Sequence, residues 1–432
     1  MKHALALILS AFATSVGAFA SQPPTASDDV ARSASSVAPD VSRTDRLAYE
    51  AELLADADSR ASGRGDEQTS GFIKNRFTLS DGGPNTMRIG GLMQLRYLAN
   101  FRDRPEESED SFTHGFQDQR VRLKVDGTVW DKHFGYIIVT ELSGPNGTSV
   151  LLDAEGRYTF DNKVYVRAGQ FKPLFLREEL VADGLQLTVE RSITNAVFTM
   201  SRSQGVGIGW SDADFRMGAD ISDGANQLNS TFNARTEADF AITGRFDWKF
   251  AGDDFKRFDD FTSWRDAKFA GMWGAAIDYE TYGDTGAIGA ATVDRDFVAA
   301  TTDVSLEGNG WNAFAAFIYR GQNKDGIAHR DDYGVIAQGG VFITDQTELF
   351  ARYDIVIPDD AGGPDNFSTA TAGVNYYLSP QSHVAQLTAD VVYYIDTQSR
   401  TAIVPAQSTT SNLLRDTDDG QWGIRLQLQV IY

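Results

Sequence analysis

Arg120, Arg122 and Lys124 alternate with the apolar Val121, Leu123 and Val125. In an extended chain this i, i+2, i+4 spacing sends the three cations to one face and the apolar side chains to the other. Successive cations then stand roughly 6.6–6.8 Å apart. An anion can be passed along such a row without full release, and the forked donors of arginine match the oxygens of phosphate-like groups. The competing reading is that these cations pair with carboxylates such as Asp126 and only solvate a wall. Arg167, between Val166 and Ala168, has the same placement, and so do Arg245 and Lys249 opposite Phe246, Trp248 and Phe250.

A second group of charges lies in residues 164–204. This stretch begins as a strand, Val164-Tyr165-Val166-Arg167-Ala168-Gly169-Gln170-Phe171, and breaks at Lys172-Pro173. About thirty residues without period-2 alternation follow, carrying Arg177-Glu178-Glu179, Glu190-Arg191-Ser192 and Ser201-Arg202-Ser203, before strand character returns at Gly205. So long a connection between strands is usually functional. In a wide barrel it would fold inward and narrow the lumen. Lys172, Arg177 and Arg191 are expected to reach the lumen, with Arg202 beside them. Glu178, Glu179 and Glu190 are expected to hold the loop against the wall.

Both groups acquire meaning only if strands enclose a space. The chain has 432 residues, 40 Gly, 11 Pro and no Cys, and 42% of it is hydrophobic. Its mean hydropathy of −0.30 excludes a helical-bundle membrane protein. A transmembrane barrel is compatible with that value, because lipid-facing and lumen-facing residues alternate. The net charge of −21 speaks against nucleic acid as a partner. Without cysteine there is no disulfide framework, thiolate metal site or thiol nucleophile.

The chain opens with Lys2, an apolar run over 4–12 and the small-x-small sequence Ala18-Phe19-Ala20. This reads as a signal peptide over 1–20, cleaved before Ser21; the run is too short to anchor comfortably in a bilayer. Residues 21–85 read as a disordered, briefly helical periplasmic segment, with Leu47, Ala51 and Leu54 on one helical face. From Thr86 the period is 2. Val121, Leu123, Val125 and Val129 form one face, and Trp422, Ile424, Leu426, Leu428 and Val430 another. About sixteen such segments run from 86–101 to 420–432. The better ones span ten to fifteen residues and end in aromatics, which suits tilted membrane strands better than a soluble sandwich. Acidic or Gly-rich loops at 102–111, 253–266 and 358–366 are all expected on the extracellular side, and acidic runs there could loosely bind divalent cations at the lipopolysaccharide surface.

Taken together, the expectation is an all-β, transmembrane antiparallel barrel over 86–432 with an inward-folded constriction loop. No catalytic residue, cofactor or metal is expected. His114, His133, His329 and His383 are dispersed and none lies in a nucleophile motif, which disfavours an outer-membrane barrel enzyme. A general or carbohydrate-type porin is the nearer alternative, kept open by Tyr165, Phe171 and Tyr376.

The chain resembles the phosphate-selective porins of the O and P type. The strongest match is Val166-Arg167-Ala168-Gly169-Gln170-Phe171-Lys172-Pro173, continuing through Arg177-Glu178-Glu179-Leu180, Val189-Glu190-Arg191-Ser192 and Ser201-Arg202-Ser203-Gln204-Gly205-Val206. Weaker matches are Ile89-Gly90-Gly91-Leu92-Met93-Gln94, Glu348-Leu349-Phe350-Ala351-Arg352-Tyr353-Asp354 and Gly373-Val374-Asn375-Tyr376-Tyr377-Leu378. The resemblance implies a sixteen-stranded barrel in a Gram-negative-type outer membrane, contacting lipid and lipopolysaccharide. It further implies a homotrimer, an anion path lined by Arg and Lys that passes phosphate or related small anions, and a terminal aromatic, Tyr432, read during assembly. One departure is visible: Lys172, Arg177, Arg191 and Arg202 are balanced by Glu178, Glu179, Asp183 and Glu190, which points away from strict phosphate selectivity.

Overall fold

The computed structural model describes residues 70–432 apart from 74–75, 103–110, 145–146, 233, 235, 284–293, 325–326, 360–365, 398–402, 405–409 and 415–418. The signal peptide expected at 1–20 and residues 21–69 of the segment after it lie outside the described residues.

Wherever apolar and polar side chains alternate, the chain is extended. A short hairpin comes first, β1 (Ser70–Ile73) and β2 (Arg76–Ser80). Next are β3 (Thr86–Arg102), β4 (Ser111–Val129), β5 (Asp131–Glu141), β6 (Val150–Thr159), β7 (Val164–Phe171), β8 (Ser203–Ser211), β9 (Phe215–Ser222) and β10 (Phe240–Ala251). The second half contains β11 (Ala270–Tyr282), β12 (Arg295–Gly308), β13 (Trp311–Lys324), β14 (Ile327–Phe342), β15 (Thr347–Ile357), β16 (Phe367–Tyr377), β17 (Ala385–Tyr394) and β18 (Gln421–Ile431). From β3 onward each strand pairs antiparallel with the next, and β18 pairs back onto β3 from Trp422↔Phe101 to Ile431↔Leu92. These sixteen strands form a closed antiparallel barrel, as the sequence predicts. Closure satisfies the backbone of every wall strand and leaves no edge.

The hairpin β1–β2 corrects one expectation. Its residues fall in the stretch read as disordered or briefly helical, yet Phe77–Ser80 pairs with β3 from Ile89 to Thr86 and lengthens the wall beyond the end of β18. Strands of four and five residues are too short to show a period, so alternation alone does not reveal it.

The seam depends on a glycine. Gly91 donates to the Tyr432 carbonyl at 2.7 Å and accepts from the Tyr432 amide at 3.2 Å. A Cβ at Gly91 would stand 2.3 Å from the Arg122 carbonyl and 2.6 Å from the Tyr432 ring. The terminal tyrosine therefore lies against a position that accommodates no side chain.

Outward positions carry large apolar groups, exposed in two bands. Trp248, Phe250, Phe269 and Trp130 ring the end that holds Thr86 and Tyr432, and Phe240, Phe116 and Trp422 stand toward the other. Such bands fit the two interfaces of a membrane. Strand parity fixes which connections share an end. Residues 252–269 join β10 to β11 at the end holding Thr86 and Tyr432, opposite the end where Arg102 closes β3 and Ser111 opens β4. The expectation that 253–266 and 102–111 lie on one side is therefore overturned. The acidic composition that suggested it misled, because this connection buries Phe255, Phe258 and Phe261 and folds into the barrel instead of spreading into solvent.

Inside, the barrel is not uniformly polar. Phe314, Ala316 and Ile318 of β13, Ile336 of β14, Phe350 and Val356 of β15 and Val392 of β17 face inward and are buried. They pack with Phe175, Leu176, Val181, Leu187, Ile193 and Phe198 of the 172–202 connection, with Phe261, and with Val404 and Leu413 from the connection before β18. The lumen thus holds a packed apolar core supplied from both ends.

Candidate functional site

The connection 172–202 leaves β7 through a backbone that few residues adopt. Gly169 has φ +128°, and a Cβ there would stand 2.0 Å from the Ala154 carbonyl. Arg167 then anchors the departure. Its Nε and Nη2 donate to the two oxygens of Asp220 at 3.0 and 2.7 Å, and its guanidinium lies 3.8 Å over the Phe171 ring. Asp220 also accepts from the Leu174 amide at 3.1 Å.

Two short helices follow, α1 (Arg177–Leu180) and α2 (Ile193–Phe198), with a tight turn at Asp183–Leu185 between them. Ser192 caps α2, accepting from the Asn195 amide at 2.8 Å, and Glu178 accepts from the Ser192 amide and hydroxyl at 2.8 and 2.6 Å. The far wall also reaches in. Asp354 accepts from the Thr194 amide at 3.0 Å, Arg352 donates to the Glu190 carbonyl at 2.8 Å, and Asn375 donates to the Leu187 carbonyl at 2.9 Å.

Each carboxylate of the loop meets a cation. Glu190 stands 2.5 Å from Arg96 and 2.7 Å from Arg120. Asp183 is shared by Arg120 at 3.2 Å, Arg191 at 2.5 Å and Arg122. Glu179 pairs with Lys172 at 3.0 Å and Arg191 at 3.4 Å, and Glu178 lies 3.4 Å from Arg352. Burial alone would raise these carboxyls. For Glu179 the charges of Arg191 and Lys172 outweigh it and hold the group at about 2; for Glu190 Arg120 and Arg96 do the same, again to about 2. Asp183 is held well below its ordinary value, since Arg120, Arg191, Arg122 and Lys172 together overcome its burial. Lys172 is pushed down to about 8 by burial, only partly opposed by Glu179.

The row Arg120, Arg122, Lys124 exists as spaced, but its members have different surroundings. Arg120 is buried and clamped by loop carboxylates. Arg122 bridges Glu141 at 2.7 Å and Asp183. Lys124 is a third exposed and lies 3.7 Å from Asp126. Lys172, Arg122, Lys124, Arg167 and Arg202 line one cavity of about 500 Å³ between the loop and β3–β7, near Gly91 and Tyr432. Three carboxylates, Asp153, Glu155 and Asp183, share its wall. Arg202 pairs with Asp153 at 2.9 Å.

The other expected residues lie elsewhere. Arg191 stands behind this cavity, donating to the Glu178 and Val181 carbonyls at 3.0 and 2.7 Å. Arg245 donates to the Phe175 carbonyl at 2.8 Å and pairs with Asp303 and Asp247. Lys249 donates to the Gly252 carbonyl at 2.5 Å. Arg177 is buried, and its Nε and Nη2 have no hydrogen-bond partner. Burial and the neighbouring Arg216 lower it to about 10. Of the aromatics, Phe171 and Tyr165 each carry a guanidinium, whereas Tyr376 falls on the opposite face of β16 from the buried Asn375 and Tyr377.

Sequence reasoning gave no site role to Arg96 or Arg352 and counted Asp183 only in the charge balance of the loop. Arg96 sits at an inward position of β3, so parity marks it, but its partner Glu190 is reached only through the fold.

The family model of phosphate-selective porin O and P matches residues 92–413. Among solved structures, an anion-selective porin from Comamonas acidovorans is similar, with 12% identity, a TM-score of 0.53, and coverage of 81% of this chain and 100% of that one. The outer membrane channel DcaP of Acinetobacter baumannii gives 14% identity, a TM-score of 0.53, and coverage of 81% and 98%. Salmonella typhi OmpF, in complex with daunomycin, gives 12%, 0.53, and coverage of 80% and 98%. At these identities the likeness is one of fold. No curated protein matches the chain.

Proposed function

Because the chain belongs to the family of phosphate-selective porins O and P, and is on that ground an outer-membrane channel, we propose that it passes small anions passively. Phosphate and related oxyanions are the cargo we favour, and a homotrimer the assembly. The observation that carries this reading is the cavity beside the inserted loop, where five cations face three carboxylates. Lys124 supports it most directly, because it is the most exposed cation of the row.

Membership of this family supports reading the chain as a channel and not as an enzyme. Trimerisation rests on the family alone, and the outward aromatic bands support contact with lipid and lipopolysaccharide.

The test is reversal potential in planar bilayers across a KCl gradient, repeated with added phosphate. Anion preference with chloride current reduced by phosphate supports the reading. Cation preference refutes it. The second reading, a general porin of weak selectivity, is favoured by the ion pairs that neutralise Arg120, Arg122, Arg167 and Arg202. It predicts a reversal potential near zero and no phosphate block.

A further inference from the structure

Asp183 is the loop carboxylate that reaches both the wall and the cavity. One of its oxygens lies 2.5 Å from Arg191 and 3.2 Å from Arg120; the other meets Arg122. Arg122, Lys172 and Asp183 itself line the cavity. Three guanidinium groups around one carboxylate, with a lysine beside it, form the donor set that a tetrahedral oxyanion takes.

We propose that Asp183 is a built-in pseudo-ligand: the loop's own carboxylate fills an oxyanion site made by Arg120, Arg122 and Arg191, and keeps that site weak so that anions pass instead of lodging. Charge counting supports this. Arg96, Arg120, Arg122, Lys172 and Arg191 face Glu141, Glu179, Asp183 and Glu190, an excess of one positive charge. Without the Asp183 charge the excess is two, which matches hydrogen phosphate dianion. The backbone of the turn does not depend on that side chain. Gln429 donates to the Gly184 carbonyl at 2.8 Å, the Leu185 amide donates to the Ala182 carbonyl at 3.0 Å, and Leu185 accepts from the Phe261 amide at 3.3 Å. Conduction requires that a bound ion leave again, and a competing carboxylate tethered at the site secures that.

The inference depends on the anion-porin reading only for how the anion arrives. Its test therefore has a readout separate from current. Inorganic phosphate is titrated calorimetrically into the detergent-purified full chain, as wild type, Asp183→Asn, Asp183→Glu and the double variant Asp183→Asn with Arg191→Ala. Barrel closure of each is verified by heat-modifiable gel mobility. Asp183→Asn is expected to bind phosphate about tenfold or more tightly than wild type, the increment of one charge-assisted contact. Asp183→Glu should stay near wild type, and the double variant should lose the gain. In bilayers the same Asp183→Asn channel should be blocked by correspondingly less phosphate. Equal or weaker phosphate binding by a closed Asp183→Asn barrel overturns the pseudo-ligand. A wild-type channel that prefers cations, with the calorimetric gain intact, overturns the anion-porin reading and leaves the pseudo-ligand standing.

Discussion

Lys172 carries a property its neighbours lack: its ammonium is buried enough to titrate near about 8. The sign is simple. Below that value it is charged and adds to the cationic wall; above it the charge is lost while every arginine keeps its own. Anion preference should therefore decline as the pH of both chambers rises from 7 to 9, read as a fall in reversal potential, and Lys172→Arg should hold preference constant over that range. The loop carboxylates behave oppositely. Glu179 and Glu190 are held at about 2, below their unfolded value of 4.5, so their clamping is complete above 4.5 and fades as pH falls toward 2. Current noise should stay low at pH 5 and rise below pH 4 if these pairs fix the loop. Spacing made the cations legible in the sequence, because parity alone sends Arg120, Arg122, Lys124 and Arg167 inward. Their partners were not legible. Glu190 is 70 residues from Arg120, and Glu178 is 174 from Arg352, so only the closed wall brings them together.

At the scale of elements, alternation suffices for the wall and fails for what fills it. Residues 313–318 read Ala-Phe-Ala-Ala-Phe-Ile, apolar on both faces. A strand apolar on both sides is one buried on both sides, and here the second burial is against the inserted loop. That signal is present in the sequence, and the pattern of alternation alone gives it no role. The connection 252–269 is the counterpart from the other end. Phe261 packs 4.9 Å from Phe314, ring to ring, and its amide reaches the loop at Leu185. Phe261→Ala should leave a cavity costing about 3–5 kcal/mol locally. The expected outcome is faster protease cleavage within 252–269 and a larger, noisier single-channel conductance. An unchanged trace and cleavage pattern would show that this connection packs without constraining the loop.

For the whole molecule, closure turns on the meeting of Gly91 and Tyr432. Gly91→Ala should prevent a tight seam, seen as loss of the heat-modifiable, fast-migrating band on a gel. Gly115→Ala in the neighbouring strand, where a Cβ meets nothing within 4 Å, should be silent. The architecture as a whole was readable because a period of 2 recurred in segment after segment, clearest in the longer strands. The end at which 252–269 emerges was not, because composition was used where counting strands decides.

The interior core has a consequence for how the wall is sealed. Val404 and Leu413 belong to that core and lie in the connection that leads into β18, the strand that seals the wall. Asn412 donates to the Ala99 carbonyl of β3 at 2.9 Å, and the Asn100 side chain of β3 donates to the Asn412 carbonyl at 2.8 Å, so the same few residues finish the filling and flank the seam. Filling and sealing are therefore coupled: the connection that completes the interior is also the one whose Asn412 holds β3, the strand onto which β18 closes.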